Sequence, residues 1–512
     1  MGKHNILSLT PVLRKLKVQE DRYTFDRILA YYAKFHQAKL SLKQIAQFGQ
    51  TPSTPQIFRS SVFLLDELPV RLSKRITLLR NPPEIIRERG LQAPFLEWAR
   101  TYEKTFVQVL KFKRAFGFMN NEDEISRLVD RVHSEHSYSN VTPITTELKN
   151  RLLKESDVSG TLMNKDIDND GFSVFGLIGL KSLASNSAEV SGLKKYLQVA
   201  YRSHTEIHSY LEEVATLFQL ILKNHSNDIL SFTKLLMEHT GKKQLSMNEF
   251  DNQKQIHRYL NMLFSSRIGT RVLLAQHLQL YKMSTGKLRS SVMKQLQHQG
   301  MTGVIGTKVV LYDIINDAIY SAEEALNRYL QESNSSIVEP PEFELNCDPD
   351  LTVTCIPAHL WHVVFEVCKN SLRATVDNHI QKGDTSKQMH PIVITVLEGT
   401  DDVVIKIADR GGGISPEVLK HIWSYHYSTN NTVDAVQKLT QSEKDQYTLV
   451  NSAQQGAEDN APMAGLGFGL PLSKLMIRHY GNGDLHINNL YGYGCEVFIT
   501  LNKRGDGVER KL

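Results

Sequence analysis

The sequence predicts an α+β protein, with a helical bundle in its first half and a mixed layer of helices and strands in its second. Three observations carry this. Apolar residues recur at helical spacing up to about residue 285, with no strand-like alternation between them. Val/Ile-rich alternating runs appear only beyond that point. Glycine-rich turns stand among those runs. A chain of 512 residues also exceeds what one compact core normally holds. Two domains are expected, at 1–285 and 286–512.

In the first half, Ser61 to Arg80 places Leu64, Leu65, Leu68, Leu72, Ile76 and Leu79 on one helical face. Pro69 within it predicts a kink or a break, and Asn81-Pro82-Pro83 stops it. A second helix is expected from Phe95 to about Phe116. A third runs from His204 to Lys223 with Ile207, Leu211, Val214, Leu217 and Ile221. A fourth runs from Asn252 to Tyr281 with Ile256, Leu260, Leu263, Ile268 and Leu274. Several such stripes bury themselves most simply as a bundle. Residues 156–191, rich in Ser, Asn, Asp and Gly, interrupt them and read as a polar surface insertion. The run Asp166-Ile-Asp168-Asn-Asp170-Gly171 begins like a calcium loop. Its twelfth position is Leu177, where a bidentate Glu is required, so a solvated Asp/Asn turn is the reading.

In the second half, Lys308 to Leu330 is amphipathic and helical, Pro340-Pro341 breaks the pattern, and His359 to His379 is helical again. The runs Ile392 to Leu397 and Val403 to Ile407 fit strands covered on one face. A glycine turn, a short helix, a long polar segment, a second glycine turn and a helix from about Leu470 follow. The chain then runs through Asp484 to Ile487, a Gly492-Tyr-Gly494 turn and the strand Glu496 to Leu501. Such mixing suggests an α/β sandwich.

Composition sets limits on function. Hydrophobic residues at 41% and charged residues at 22% are ordinary for a globular protein. A net charge of +5, from 60 basic and 55 acidic residues, does not call for nucleic acid as a partner. No apolar run approaches the roughly 20 residues of a membrane span. The four cysteines, Cys347, Cys355, Cys368 and Cys495, form no C-x-x-C pair, which argues against a zinc site or disulfide framework. Lys3, Arg14, Lys15 and Lys17 precede the first acidic residue, Glu20; a transit peptide and an ordinary basic helix both fit.

The chemistry concentrates in three places. His362, Glu366, Asn370 and Arg373 are spaced four, four and three apart, which puts them on one stripe of a helix, with Val363, Val367 and Leu372 opposite. An acid, an amide and an arginine in line suit a phosphate and magnesium site, although a solvated stripe has the same spacing. Asp409-Arg-Gly411-Gly412-Gly413 follows a strand; its glycines let the backbone approach a flat ligand, and the acid at the strand end can accept an N–H from a base. Gly465-Leu466-Gly467-Phe468-Gly469-Leu470-Pro471 opens a helix, leaving backbone N–H groups and the helix N-terminus for phosphates. The spacing is neither the dinucleotide fingerprint nor the P-loop. Each part alone is weak. Their order, on helix, strand-turn and turn-helix, is what gives them weight together.

This order, E-x-x-x-N, D-x-G-x-G and G-x-G-x-G, resembles the ATPase fold shared by gyrase, the heat-shock chaperones, histidine kinases and mismatch-repair ATPases. In detail it resembles one branch, the mitochondrial kinases of pyruvate dehydrogenase and of branched-chain 2-oxo-acid dehydrogenase. The similar segments are Phe365 to Thr375, Asp409 to Gly413, Tyr425-His-Tyr-Ser-Thr429 and Pro462 to Pro471, and in the helical half Glu67-Leu-Pro-Val-Arg71, Ser266-Arg-Ile-Gly-Thr-Arg271 and Gln276-His277.

The resemblance implies an ATP-dependent protein-serine kinase that phosphorylates and inactivates the decarboxylase subunit of a 2-oxo-acid dehydrogenase complex, pyruvate dehydrogenase first and the branched-chain enzyme as the alternative. It implies Glu366 as general base with His362 holding it, Asn370 on magnesium, and Lys369 and Arg373 near the phosphates. Asp409 would bind the adenine amino group, with Gly411 and Gly413 giving room. Ser428 and Thr429 would lie beside the nucleotide, and Gly465 to Leu470 around the phosphates. Carbonyls near Ile422, Ser424 and Tyr427 would hold potassium. Residues 430–464 would form a lid. The helical half would dock a lipoyl domain, and the protein would be a homodimer of the mitochondrial matrix.

The sequence departs from that pattern at Cys495, where the branch usually has Thr, and in lacking an Asp-Trp tail after the last strand. The short end and Pro462-Met463 are closer to the branched-chain enzyme. Two rival readings stand beside it. A two-component histidine kinase would need a phosphoacceptor such as His277 or His136, and neither has the usual neighbours in the usual place. A non-catalytic ATP-binding regulator would have no need of both Glu366 and Asn370.

Overall fold

The computed structural model describes residues 22–88, 90–115, 204–226, 228, 232, 254–286, 300–332, 340–383, 388–425, 468–480 and 483–509. The expected insertion at 156–191, the calcium-like run, His136 and the lid at 430–464 lie outside them. Seven helices come first among the described residues: α1 (Arg22–Ala33), α2 (Leu42–Gly49), α3 (Thr54–Arg80), α4 (Glu84–Glu88), α5 (Gln92–Ala115), α6 (His204–Asn224) and α7 (Lys254–Ser284). Then come β1 (Met301–Thr302), β2 (Ile305–Val310), α8 (Leu311–Glu332), β3 (Phe343–Asn346), β4 (Thr352–Cys355) and α9 (Pro357–Lys382). The chain continues with β5 (Ile392–Glu398), β6 (Asp402–Ala408), α10 (Pro416–Leu419), α11 (Gly469–His479), β7 (Asp484–Leu490) and β8 (Gly494–Asn502). The α+β class holds, with helices first and strands after residue 300.

The chain divides into two compact units. The first comprises Met1–Ala38, Thr51–Arg80 and Ala99–Ile221. Its long helix α3 buries all six of the apolar residues that predict it, from Leu64 to Leu79. The helix runs through Pro69 without a break. The proline removes one N–H from the helical ladder, and the buried Leu65, Leu68, Val70 and Leu72 on either side hold the turn in place. Phe106 packs edge-on against Phe25 and Tyr32 at 5.9 and 5.8 Å. The Glu67 and Arg71 side chains form a buried ion pair at 3.0 Å, and both also hold the backbone of Ala38. Glu67 accepts its N–H at 2.8 Å, and Arg71 donates to its carbonyl at 3.0 Å. Arg71→Ala breaks this buried pair and its hold on Ala38, so the unfolding free energy is expected to fall by about 3–5 kcal/mol. Denaturant titration checks this; a loss under about 1 kcal/mol would contradict it.

The second unit comprises Lys39–Gln50, Asn81–Trp98 and Leu222–Leu512. It holds a five-stranded sheet in the order β3-β5-β6-β8-β7 and a three-stranded sheet, β1-β2-β4. Among the described residues, β3 and β5 run parallel and the other strand pairs are antiparallel. On β6, Val403, Ile405 and Ile407 are buried and alternate with half-buried Val404, Lys406 and Ala408, so one face meets the core. Helices α8, α9 and α11 pack together, and α9 and α11 also contact the sheet. Proline at the first turn starts α9, and Gly383, at φ 66° with its N–H on the Ile380 carbonyl, ends it. In the same unit, α7 buries Ile256, Leu260, Leu263, Ile268 and Leu274. Its Arg267 and Arg271 donate to the backbone carbonyls of His225 and Leu222 at 3.1 and 3.3 Å.

Candidate active site

The polar stripe of α9 grades from core to surface. Glu366 and Lys369 are buried, His362 and Arg373 are half-buried, and Asn370 is exposed. Lys369 Nζ donates to Glu366 Oε1 at 2.7 Å, one helical turn away, and lies 5.1 Å from the Phe365 ring centre. Burial pushes the Glu366 carboxyl up. The Lys369 charge, His362 and the Lys369 hydrogen bond together pull it down by more, so it lies below the ordinary glutamate value. Burial also holds His362 below the ordinary histidine range, with Glu366 drawing it up and Lys369 pushing it down. The pair is therefore a carboxylate beside a neutral imidazole. The buried Nε2 of His362 has no hydrogen-bond partner among the described residues. Arg373 Nε lies 3.4 Å from Asp377 Oδ2.

Helix α11 meets α9 at this carboxylate. A Cβ placed on Gly469 would run into Glu366 Oε2. A larger residue at 469 would have to displace the Glu366 carboxylate. Phe468 caps that helix without a side-chain hydrogen bond, and its first turn holds no acidic residue. The N–H groups of the first turn and the positive end of the helix thus lie beside Glu366 without a capping side chain. Phe468, Gly469 and Leu470 are placed; Gly465, Leu466 and Gly467 lie outside the described residues.

Asp409 directly follows β6 and is buried. Its Oδ1 accepts the N–H of Gly411 at 2.9 Å and of Cys495 at 3.2 Å, and its Oδ2 accepts the Ser371 hydroxyl of α9 at 3.1 Å. Burial raises its carboxyl above the ordinary aspartate value in spite of these three donors. Gly411 fits against Ala374 and Thr375 of α9. Gly413 has φ 72°, and a Cβ there would meet the Leu490 carbonyl at 2.5 Å. The side chain of Asn489 pins the next residue, Ile414, accepting its N–H and donating to its carbonyl, both at 2.7 Å. The structure therefore brings the start of α11 against α9 at Glu366, and the Asp409 loop against α9 at Ser371. Ser371 and the backbone of Cys495, neither of them among the expected site residues, hold the aspartate. Ser371 lies within the α9 motif but gives no sign in sequence of its partner 38 positions on.

Ile422 and Ser424 lie in the turn after α10, where Ser424 N–H donates to the His421 carbonyl at 2.8 Å. Tyr427, Ser428 and Thr429 lie outside the described residues. Among those described, no cluster of three acidic, His or Cys side chains could hold a metal ion. The Asn370 amide, exposed one turn beyond Glu366, is an oxygen donor of the kind magnesium takes when phosphates supply the remaining ligands. All four cysteines are free. His277 is fully buried, and burial drives its pKa down to about 3.

Two family models match this chain. Residues 39–306 match the family model described as mitochondrial branched-chain alpha-ketoacid dehydrogenase kinase. Residues 355–505 match that of the histidine kinase-, DNA gyrase B- and HSP90-like ATPase. The mitochondrial [pyruvate dehydrogenase (acetyl-transferring)] kinase of Schizosaccharomyces pombe is 31% identical over 482 residues, 93% of this chain and 96% of that protein. The protein of the same name from Arabidopsis thaliana is 32% identical over 50% of this chain and 60% of its own length. That of Drosophila melanogaster is 23% identical over 95% of this chain and 86% of its own.

Proposed function

This chain belongs to the family of mitochondrial 2-oxo-acid dehydrogenase kinases, and from that premise we propose that it transfers the γ-phosphate of ATP to a serine of a dehydrogenase complex. The family consists of ATP-using protein kinases. The proposed substrate is the decarboxylase subunit of pyruvate dehydrogenase, inactivated by the modification. The observation that supports this most is the buried Glu366 carboxylate facing the uncapped start of α11. A base and a phosphate-binding helix end there share one point.

In this reading Glu366 takes the proton of the substrate serine, and the neutral His362 packs one turn before it. Lys369, which pairs with Glu366, would be drawn towards incoming phosphate. That would leave the carboxylate less compensated and more basic. Arg373 and the N–H groups of residues 465–470 meet the remaining phosphate charge. Asp409 accepts the adenine amino group, Gly411 and Gly413 admit the base, and Ser428 and Thr429 lie beside it. Asn370 would hold magnesium, which when bound neutralises charge on the phosphates. Carbonyls at Ile422, Ser424 and Tyr427 suit a potassium ion. We also propose a homodimer of the mitochondrial matrix, with residues 1–285 docking a lipoyl domain, 286–512 carrying the kinase site and 430–464 covering the nucleotide. Among the described residues no helix is long and apolar enough to cross a membrane.

The pH dependence follows from the two lowered values. A carboxyl depressed below about 4.3 stays ionised above that pH and protonates only as pH falls through its own lower value. An imidazole depressed below about 6.5 stays neutral above that pH. Neither group titrates between pH 8 and about 6.5, so kcat/KM for phosphoryl transfer is expected to be level there. An acid limb centred near pH 7 would contradict the assignment.

Branched-chain 2-oxo-acid dehydrogenase is the second reading for the substrate, supported by the family model matched over 39–306. Incubating the protein with each purified complex and labelled ATP separates the two. Label on the pyruvate decarboxylase subunit is expected; label on the branched-chain subunit alone would replace the first substrate with the second.

A further inference from the structure

We infer that His257, Asn261 and Phe264 of α7 are positioning residues for the nucleotide site, acting through Trp423, Tyr425 and Phe468. The inference rests on the kinase reading above, because it takes the start of α11 as the phosphate end of the site.

The three residues stand at i, i+4 and i+7, one stripe of two helical turns. Their hydrogen bonds run in one direction only. The Tyr425 hydroxyl donates to Asn261 Oδ1 at 2.6 Å, which leaves the Asn261 amide nitrogen for His257 Nδ1 at 2.9 Å. Nδ1 then accepts, so the imidazole carries its hydrogen on Nε2, and Nε2 donates to the Trp423 carbonyl at 2.6 Å. A carbonyl can only accept, so both ends of the chain demand the same tautomer. The geometry of residues 423–425 is thus set by a helix more than 150 positions earlier in sequence.

Phe264 extends the same stripe to the start of α11. Its ring lies 4.9 Å from Tyr425 and 5.7 Å from Phe468, and those two lie 5.8 Å from each other. All three rings are buried. Phe468 is the N-cap of α11, and the next residue, Gly469, abuts Glu366. A path of direct contacts thus leads from the Asn261 amide through Tyr425 and Phe468 to the helix end beside the base. Apolar side chains alone would bury the same rings. The polar chain adds a single orientation for Tyr425 and a fixed carbonyl at Trp423.

The test uses the full-length protein and two variants, Tyr425→Phe, which removes one oxygen, and Asn261→Leu, which removes both amide bonds. The readouts are the Kd of a fluorescent ADP analogue with magnesium, the KM for ATP and kcat in serine phosphorylation, and the melting temperature without nucleotide. Each variant is expected to raise Kd and KM by about five- to tenfold, with kcat changed by less. The double variant is expected to be no worse than the worse single, because both cut one chain. A merely structural role would lower the melting temperature and leave Kd and KM as they were. Unchanged Kd in both variants, or losses that multiply in the double variant, would overturn the inference while the kinase reading stands. A wild-type protein that binds no nucleotide would sink that reading and this inference with it.

Discussion

Glu366→Gln is expected to lower transfer of phosphate to a substrate serine by about a thousandfold while the Kd for ATP changes little. Glutamine keeps the length of the side chain and an oxygen for Lys369 Nζ, which lies 2.7 Å from Glu366 Oε1 in the native protein. What it loses is the negative charge and the proton acceptor. A carboxylate whose only role was to neutralise Lys369 would give a different result. That variant would lose stability, but turnover would survive. Radiolabel transfer with nucleotide binding measured in parallel distinguishes the two. Full activity in Glu366→Gln would refute Glu366 as the base.

The second large effect is expected at Asp409. Asp409→Ala removes the acceptor proposed for the adenine amino group and leaves three donors, Gly411 N–H, Cys495 N–H and the Ser371 hydroxyl, without their partner. A hydrogen bond to a charged group contributes about 1.5–3 kcal/mol, so the Kd for ATP should rise roughly 10- to 100-fold, or further as the loop rearranges. Asp409→Asn sharpens the test. Its amide oxygen can still serve Gly411 and Cys495, but its nitrogen now offers a donor where the base had met an acceptor. Guanine carries an oxygen where adenine carries the amino group. The native protein should therefore prefer ATP to GTP strongly, and Asp409→Asn should narrow that preference. An unchanged ratio would remove Asp409 from the base-recognition role.

Much of this site was legible in the sequence, because its elements are local. The α9 stripe is written in one helical period, and the Asp409 turn sits where a Val/Ile strand runs into glycines. The apolar stripes of α3, α6 and α7 also declare themselves, since burial follows the 3.6-residue period over many turns. The misses have physical causes. Pro69 argues for a kink or a break; the helix is unbroken there, because the packing of α3 outweighs one lost backbone hydrogen bond. The short strands β1 to β4 hold too few residues for alternation to show, and Lys308 to Val310 reads as helix although it closes β2. The contacts that assemble the site are invisible in one dimension. Ser371 reaches Asp409, and Asn261 reaches Tyr425 across 164 positions, with nothing in sequence to link them. Glu366 and Gly469 look like members of two separate motifs, and only the fold brings one against the other.

The most direct test of the central claim is the chemical fate of the γ-phosphate. The protein is incubated with γ-labelled ATP, magnesium and purified pyruvate dehydrogenase complex, and the products are separated and treated with acid. Acid-stable phosphoserine on the decarboxylase subunit, absent with Glu366→Gln, is the expected result. Acid-labile phosphate on this chain itself, or no transfer to any dehydrogenase complex, would contradict the account.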